Sequence, residues 1–289
     1  MGEEAKQRRR CWCERDWYTP LAESGLVSVA IHRKGAENAE DIKVERLDLL
    51  HFQGLIALRT IFGEDSAVNL QGKVALVTGG ARRLGKAVVL KLAESGARVV
   101  VHYHRSAEDA AATAAAVRRM GGEARTVGGD LSQVDQVERI VDEAADAWGR
   151  LDILVNNAAV FFQTPMGQVS EEQWDHLFGV NLKGAFFCAQ RAAVKMRQND
   201  GGVIVNFVDT GIYITWRGYT PYLISKAGVE QMTYALAKEL APDIRVNALA
   251  PGPLLLPTII RRKTRSGSPA SPSSNASVAM TTWLRQPYT

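Results

Sequence analysis

An α/β fold built on a doubly wound parallel sheet is what this sequence predicts, on three observations. From Lys73 onward, apolar runs of strand length alternate with segments of helical spacing over about 180 residues. The strand runs are apolar at consecutive positions, as strands covered by helices on both faces must be. The first strand–helix junction is rich in glycine, as a turn that must pass close to another group would be.

The elements follow in order. KVALVT (73–78) reads as a buried strand that runs into Gly79-Gly80. Leu84 to Ser95 then reads as a helix closed by Gly96. RVVVHY is the second strand. Ser106, with Asp109 three residues on, predicts a capping box opening an alanine-rich helix that Gly121-Gly122 ends. ARTVGGD is the third strand, and Ser132 with Asp135 repeats the capping-box spacing before a helix reaching Trp148. LDILVNN is the fourth. Ser170 and Gln173 open a long helix to about Gln198. VIVNFV, a helix over 219–241 and IRVNALA complete the series.

Outside this stretch the pattern fades. Residues 1–70 form a poorly patterned extension, and 258–289 read as a disordered basic tail rich in Ser, Pro, Thr and Arg. The body between them is expected over 71–257. Net charge is +4, but residues 257–289 alone carry +5, which leaves the rest at −1. No whole-domain basic field exists, so a nucleic-acid partner is not expected, and Arg8-Arg9-Arg10 reads as a solvated terminus. Cys11 and Cys13 lack the second pair a closed zinc site needs, and Cys188 reads as a core residue. There is neither an apolar leader nor a run of membrane-spanning length, and the sequence predicts a soluble cytoplasmic protein without a membrane partner.

TGGARRLGK (78–86) lies between the first strand and the first helix, where amide N–H groups and the helix dipole can face a phosphate. The dinucleotide fingerprint G-x-G-x-x-G is not met, but the strand–turn–helix setting points to a Rossmann-like sheet that binds a dinucleotide. Together with NNAA (156–159), Tyr222-x-x-x-Lys226, Asn181 in LFGVNLKG and Pro251-Gly252 after the sixth strand, this turn resembles the motifs of the short-chain dehydrogenases/reductases. The turn has Thr78 and Gly79, Arg83 where the family's middle glycine stands, then Leu84 and Gly85. The resemblance implies that Gly79, Arg83, Leu84, Gly85, Asn157, Ala158, Ala159, Pro251 and Gly252 line a nicotinamide cofactor, and that Asp130, with Leu131 beside it, meets the adenine. It also implies that Asn181 holds a water in a relay path.

One branch is more similar. Arginine in the glycine turn, HYHRS after the second strand, and Asp209 in place of the usual catalytic serine resemble pteridine reductases, which reduce pterins with NADPH. That likeness implies that Arg83 lies near pyrophosphate and substrate and that Phe161 stacks on the substrate ring. A carboxylate after the second strand would select a free ribose 2′-OH, whereas a cation accepts a 2′-phosphate. No acid occurs at 99–106, where His102, His104, Arg105 and Ser106 stand, so NADP(H) is expected over NAD(H).

Reduction of C=O or C=N needs a proton donor beside the cofactor. Tyr222 is the candidate donor. Lys226, one turn on, shares its helix face and is expected to lower the phenol's pKa and to reach the nicotinamide ribose. Asp209 is expected to hold the N–H-rich edge of a pterin and to relay a proton to Tyr222. The alternatives are a reductase of 3-oxoacyl thioesters or small carbonyl compounds, and a truncated non-catalytic nucleotide-binding remnant. The remnant is considered because the family's C-terminal strand and helices are not legible after PGPLLLP. Those elements also build the homotetramer for which the family gives precedent.

Overall fold

The computed structural model describes residues 69–251. The N-terminal extension to residue 68, including Cys11, Cys13 and Arg8–Arg10, lies outside the described residues, as do Gly252 and the 258–289 tail.

Six parallel strands form one sheet: β1 (Val74–Val77), β2 (Arg98–Tyr103), β3 (Ala124–Gly128), β4 (Ile153–Asn156), β5 (Gly202–Phe207) and β6 (Ile244–Leu249). Their order is β3-β2-β1-β4-β5-β6, a Rossmann-like arrangement. The order reverses between β1 and β4, and their carboxyl ends open the crevice in which such sheets bind ligands. Seven α-helices connect them among the described residues: α1 (Arg83–Glu94), α2 (Ala107–Arg119), α3 (Val134–Asp146), α4 (Glu171–Phe178), α5 (Ala185–Arg197), α6 (Gly211–Ile214) and α7 (Thr220–Glu239).

The period-2 rule divides each strand between two cores. Val74 and Leu76 face one side with Val100, Leu154, Ile204 and Val246, and are covered by α3, α5 and α7 through Ile140, Ala189 and Leu236. Ala75 and Val77 face the other with Val99, Val101, Ile153 and Val155, and are covered by α1 and α2 through Val89, Leu92 and Val117. Cys188 is buried in the first core, as expected, and burial pushes its thiol up to about 12, which leaves it un-ionised at neutral pH.

Several local expectations are corrected. Ser106 caps nothing with its side chain, because its backbone is not extended (φ −99, ψ 57) and Asp109 instead faces Arg82 at 3.5 Å. Ser132 does not cap α3 either. Its N–H is held by the Asp130 carboxylate at 2.9 Å, and the helix starts later, with Gln133 as its cap. The third expected box is present: the Ser170 hydroxyl accepts from Gln173 N–H, and the Gln173 side chain accepts from Ser170 N–H. The long helix expected from Ser170 to Gln198 is interrupted by a π-helical segment, Gly179–Gly184, that separates α4 from α5. A glycine at 184 is required there, since a Cβ would lie 2.6 Å from Leu131 O. The short α6 was not foreseen. Among the described residues β6 pairs only with β5.

Candidate active site

The glycine turn forms the left part of the crevice. Thr78 follows β1, and its hydroxyl accepts from the N–H groups of Asn157 and Ala158 at 2.9 and 3.0 Å while donating to Val155 O. The Asn157 amide donates back to Thr78 O and Gly79 O at 2.8 and 3.1 Å. The turn after β1 and the NNAA turn after β4 are thereby one unit. Gly79 has φ +62, and a Cβ at Gly85 would lie 2.2 Å from Gly79 O, so glycine alone fits at 85. Arg83 has φ 50, the left-handed region, at the place where the family has its middle glycine. The turn therefore keeps the glycine conformation while carrying a guanidinium. No side chain caps α1, and its first turn holds no acid, so its N-terminal amides face the crevice without an anionic competitor.

Across the crevice lie the groups expected to meet adenosine. His104 and Arg105 are exposed, Ser106 is half-buried, and His104 Nε2 stands 3.9 Å from the Asp130 carboxylate. Burial works to raise the Asp130 pKa, but hydrogen bonds from the backbone and side chain of Ser132 hold it below the usual carboxylate value. Leu131 is 5% exposed and its side chain packs in the core with Val127 and Val137, so it offers a ligand only backbone. His102 is not a cation for a phosphate: it is 2% exposed, and burial pushes it down to about 4. Ala159 is exposed at the crevice, Leu84 packs partly against the second core, and Pro251 is half-buried just after β6.

The catalytic candidates converge at the ends of β4 and β5. Asp209 follows β5 directly, and Tyr222 and Lys226 lie one turn apart on α7. Tyr222 donates its phenol proton to Asp209 Oδ2 at 2.6 Å, and Asp209 Oδ1 accepts the N–H of Gly211 at 2.7 Å. Lys226 is 4% exposed and donates to Phe207 O at 2.8 Å. Burial pushes its ammonium down to about 8, against the opposing pull of Asp209.

The expected effect of Lys226 on Tyr222 is corrected. The phenol is pushed above its ordinary value, by burial first and then by the charge and hydrogen bond of Asp209. The nearest charge is an anion that stabilises the protonated phenol, and no hydrogen bond joins Lys226 to Tyr222.

Asn181 lies in the π segment, where its carbonyl accepts Val160 N–H at 2.8 Å. Its amide donates to Val160 O and Ser225 Oγ, both at 3.1 Å. Both amide protons are engaged, so the Asn181 side chain braces the loop bearing Phe161. Ser225, which the sequence reading passed over, completes that brace by donating to Tyr222 O at 2.7 Å. Its place between Tyr222 and Lys226 was the available signal.

Phe161 is 48% exposed, stacked on Tyr219 at 4.6 Å and edge-on to Tyr222 at 4.8 Å, with Trp216 at 6.3 Å. An aromatic wall therefore stands directly beside the phenol. Trp216 and Tyr219 are further members that motif reading did not reveal.

The sequence profile described as short chain dehydrogenase matches residues 73–268. The chain belongs to this family. Among its short-chain dehydrogenase relatives, a short-chain type dehydrogenase/reductase of Picea abies is 36% identical over 71% of this chain and 79% of its own length. The 3-oxoacyl-acyl-carrier-protein reductase FabG of Staphylococcus aureus is 36% identical over 62% of this chain and 74% of its own. The crystal structure of FolM alternative dihydrofolate reductase 1 from Brucella canis, complexed with NADP, is 38% identical with a TM-score of 0.61, over 64% of this chain and 75% of that one. Among the described residues no helix is long and apolar enough to cross a membrane, and no His/Cys/Asp/Glu group could hold a metal ion.

Proposed function

We propose that this short-chain dehydrogenase is an NADPH-dependent reductase of a pterin-like substrate, a dihydropteridine or dihydrofolate. The observation that carries the reading is the 2.6 Å hydrogen bond from Tyr222 to Asp209, beside the exposed ring of Phe161. The uncapped start of α1, the glycine cradle and the acid-free end of β2 fit a dinucleotide bearing a 2′-phosphate.

When bound, the cofactor supplies the hydride. The chain's own residues do the rest. Gly79, Arg83, Leu84 and Gly85 hold the pyrophosphate. His104, Arg105 and Ser106 take the 2′-phosphate, and Asp130 meets the adenine edge. Asn157, Ala158, Ala159 and Pro251 line the nicotinamide side. Tyr222 delivers the proton to the substrate nitrogen or oxygen. Its raised pKa keeps it protonated and ready to donate at neutral pH. Lys226 reaches the nicotinamide ribose and orients it beside Tyr222. Asp209 is a carboxylate where a serine could only share a neutral hydrogen bond. It accepts the N–H groups of a pterin edge and, once Tyr222 has given up its proton, passes one taken from solvent back to the phenolate. Phe161 stacks on the flat ring, Arg83 approaches it from the glycine turn, and Asn181 fixes the loop bearing Phe161.

A second reading, reduction of a 3-oxoacyl thioester, is favoured by the 36% identity to FabG. NADPH oxidation by the purified protein separates the two. Turnover of dihydrobiopterin or dihydrofolate well above that of an acetoacetyl thioester is expected. The reverse order would replace the pterin reading, and NADPH binding without turnover of either would favour a non-catalytic remnant.

A further inference from the structure

His102 lies beneath the glycine turn, buried, with both ring nitrogens engaged by the protein. It sits on β2, opposite Val127 of β3, at 2% exposure. Its Nδ1 accepts the N–H of Gly79 at 3.1 Å, and its Nε2 lies 3.0 Å from Gly129 O. An amide N–H can only donate and a carbonyl can only accept. The ring must therefore be the neutral tautomer with its proton on Nε2. The main-chain oxygen of the same residue accepts Gly80 N–H at 2.9 Å. Two successive amides of the glycine turn thus end on residue 102, which leaves the later amides, at the start of α1, to face an anion. The other end of the ring holds Gly129, immediately before Asp130. His104, Asp130 and Arg139 are the charged or titratable groups that face the ring.

We propose that His102 is a positioning residue for the dinucleotide, a neutral strut that sets the distance between the glycine turn and the Asp130 loop. It touches no ligand. It acts on pyrophosphate and adenine, which NADPH and NADH share, and not on the 2′-phosphate. This inference rests on the reading that the crevice binds a nicotinamide dinucleotide, and it is independent of the substrate.

The test is dissociation constants for NADPH and NADH, measured by calorimetry on the wild-type, His102→Leu and His102→Asn proteins. Leucine removes both ring contacts, whereas asparagine keeps a polar atom near the position of Nδ1. His102→Leu should weaken both cofactors by the same factor, about tenfold. His102→Asn should recover most of that loss. Wild-type affinity in His102→Leu, or a loss confined to NADPH, overturns the inference and leaves the cofactor reading standing. A wild-type protein that binds neither dinucleotide overturns both. Should the leucine variant fail to fold, the wild-type ring decides by long-range 1H–15N NMR. A neutral ring protonated on Nε2, persisting at about pH 5.5, a unit below the ordinary histidine value, is expected. An Nδ1-protonated or doubly protonated ring there overturns the strut.

Discussion

The two halves of the crevice are built on opposite principles. Around the glycine turn the contacts that hold it are neutral: a hydroxyl, the Asn157 amide, an uncharged imidazole and backbone N–H groups. Its guanidinium groups, on Arg82, Arg83 and Arg105, lie at the exposed rim. Beyond β5 the order inverts, with a buried ammonium and a half-buried carboxylate at the centre and aromatic rings at the rim. The difference teaches where each half obtains its chemistry. A phosphate is recognised by shape and by dipoles that need no protonation change. A proton transfer needs groups whose charge is costly enough in the fold to shift their pKa values.

Four measurements break or sharpen this contrast. The largest effect belongs to the charged half. Tyr222→Phe should lower turnover by about two to four orders of magnitude and leave the NADPH dissociation constant within about twofold, as judged by stopped-flow and calorimetry. Near-wild-type turnover would remove Tyr222 from the chemistry.

In the neutral half, His102 ties stability to acid. Its folded value, about 4, lies below the ordinary 6.5, so the unfolded chain binds more protons between them. The stabilisation is complete above pH 6.5 and is lost as pH falls through 4, by ~3 kcal/mol in all. Urea titrations across that window should show the decline, and the His102→Asn protein should show a shallower one.

The rim of the same half should tune selectivity without affecting the fold. Arg105→Glu should cut the preference for NADPH over NADH by about 10- to 100-fold, since a charge-assisted hydrogen bond of ~1.5–3 kcal/mol becomes a repulsion. Its melting temperature should not change. An unaltered cofactor ratio would move the 2′-phosphate elsewhere. The smallest effect is expected at the aromatic rim. Phe161→Ala should raise KM for a dihydropterin by several-fold, the weight of one stacking contact of ~0.5–1.5 kcal/mol, with kcat nearly kept.

Much of this was legible in the residues. Alternation of short apolar runs with helical spacing located all six strands, because a strand buried on both faces leaves few polar positions to blur it. The pair Tyr222 and Lys226 was visible because one helical turn places both on one face. Other readings failed where a local rule met a tertiary competitor. Ser106 and Ser132 had capping-box spacing, yet Asp109 found Arg82 and Ser132 was taken by Asp130. The Ser170 box formed because no such competitor reached it. The helix through Asn181 was expected to be continuous, but its close approach to Leu131 and the bond from Val160 to Asn181 coincide with a π segment.

The sequence by itself determined the sheet, the glycine turn, the absence of an acid after β2 and the candidate triad, because these depend on periodicity and on spacing along one helix or one turn. Only the tertiary structure decided the state of the ionisable groups. His102 looked like a cation and is a neutral strut; Lys226 looked like the partner of Tyr222, and Asp209 holds that place. Protonation follows from burial and from neighbours far away in the chain, such as Gly79 with Gly129 for His102 and Phe207 for Lys226, and three-dimensional packing alone sets both.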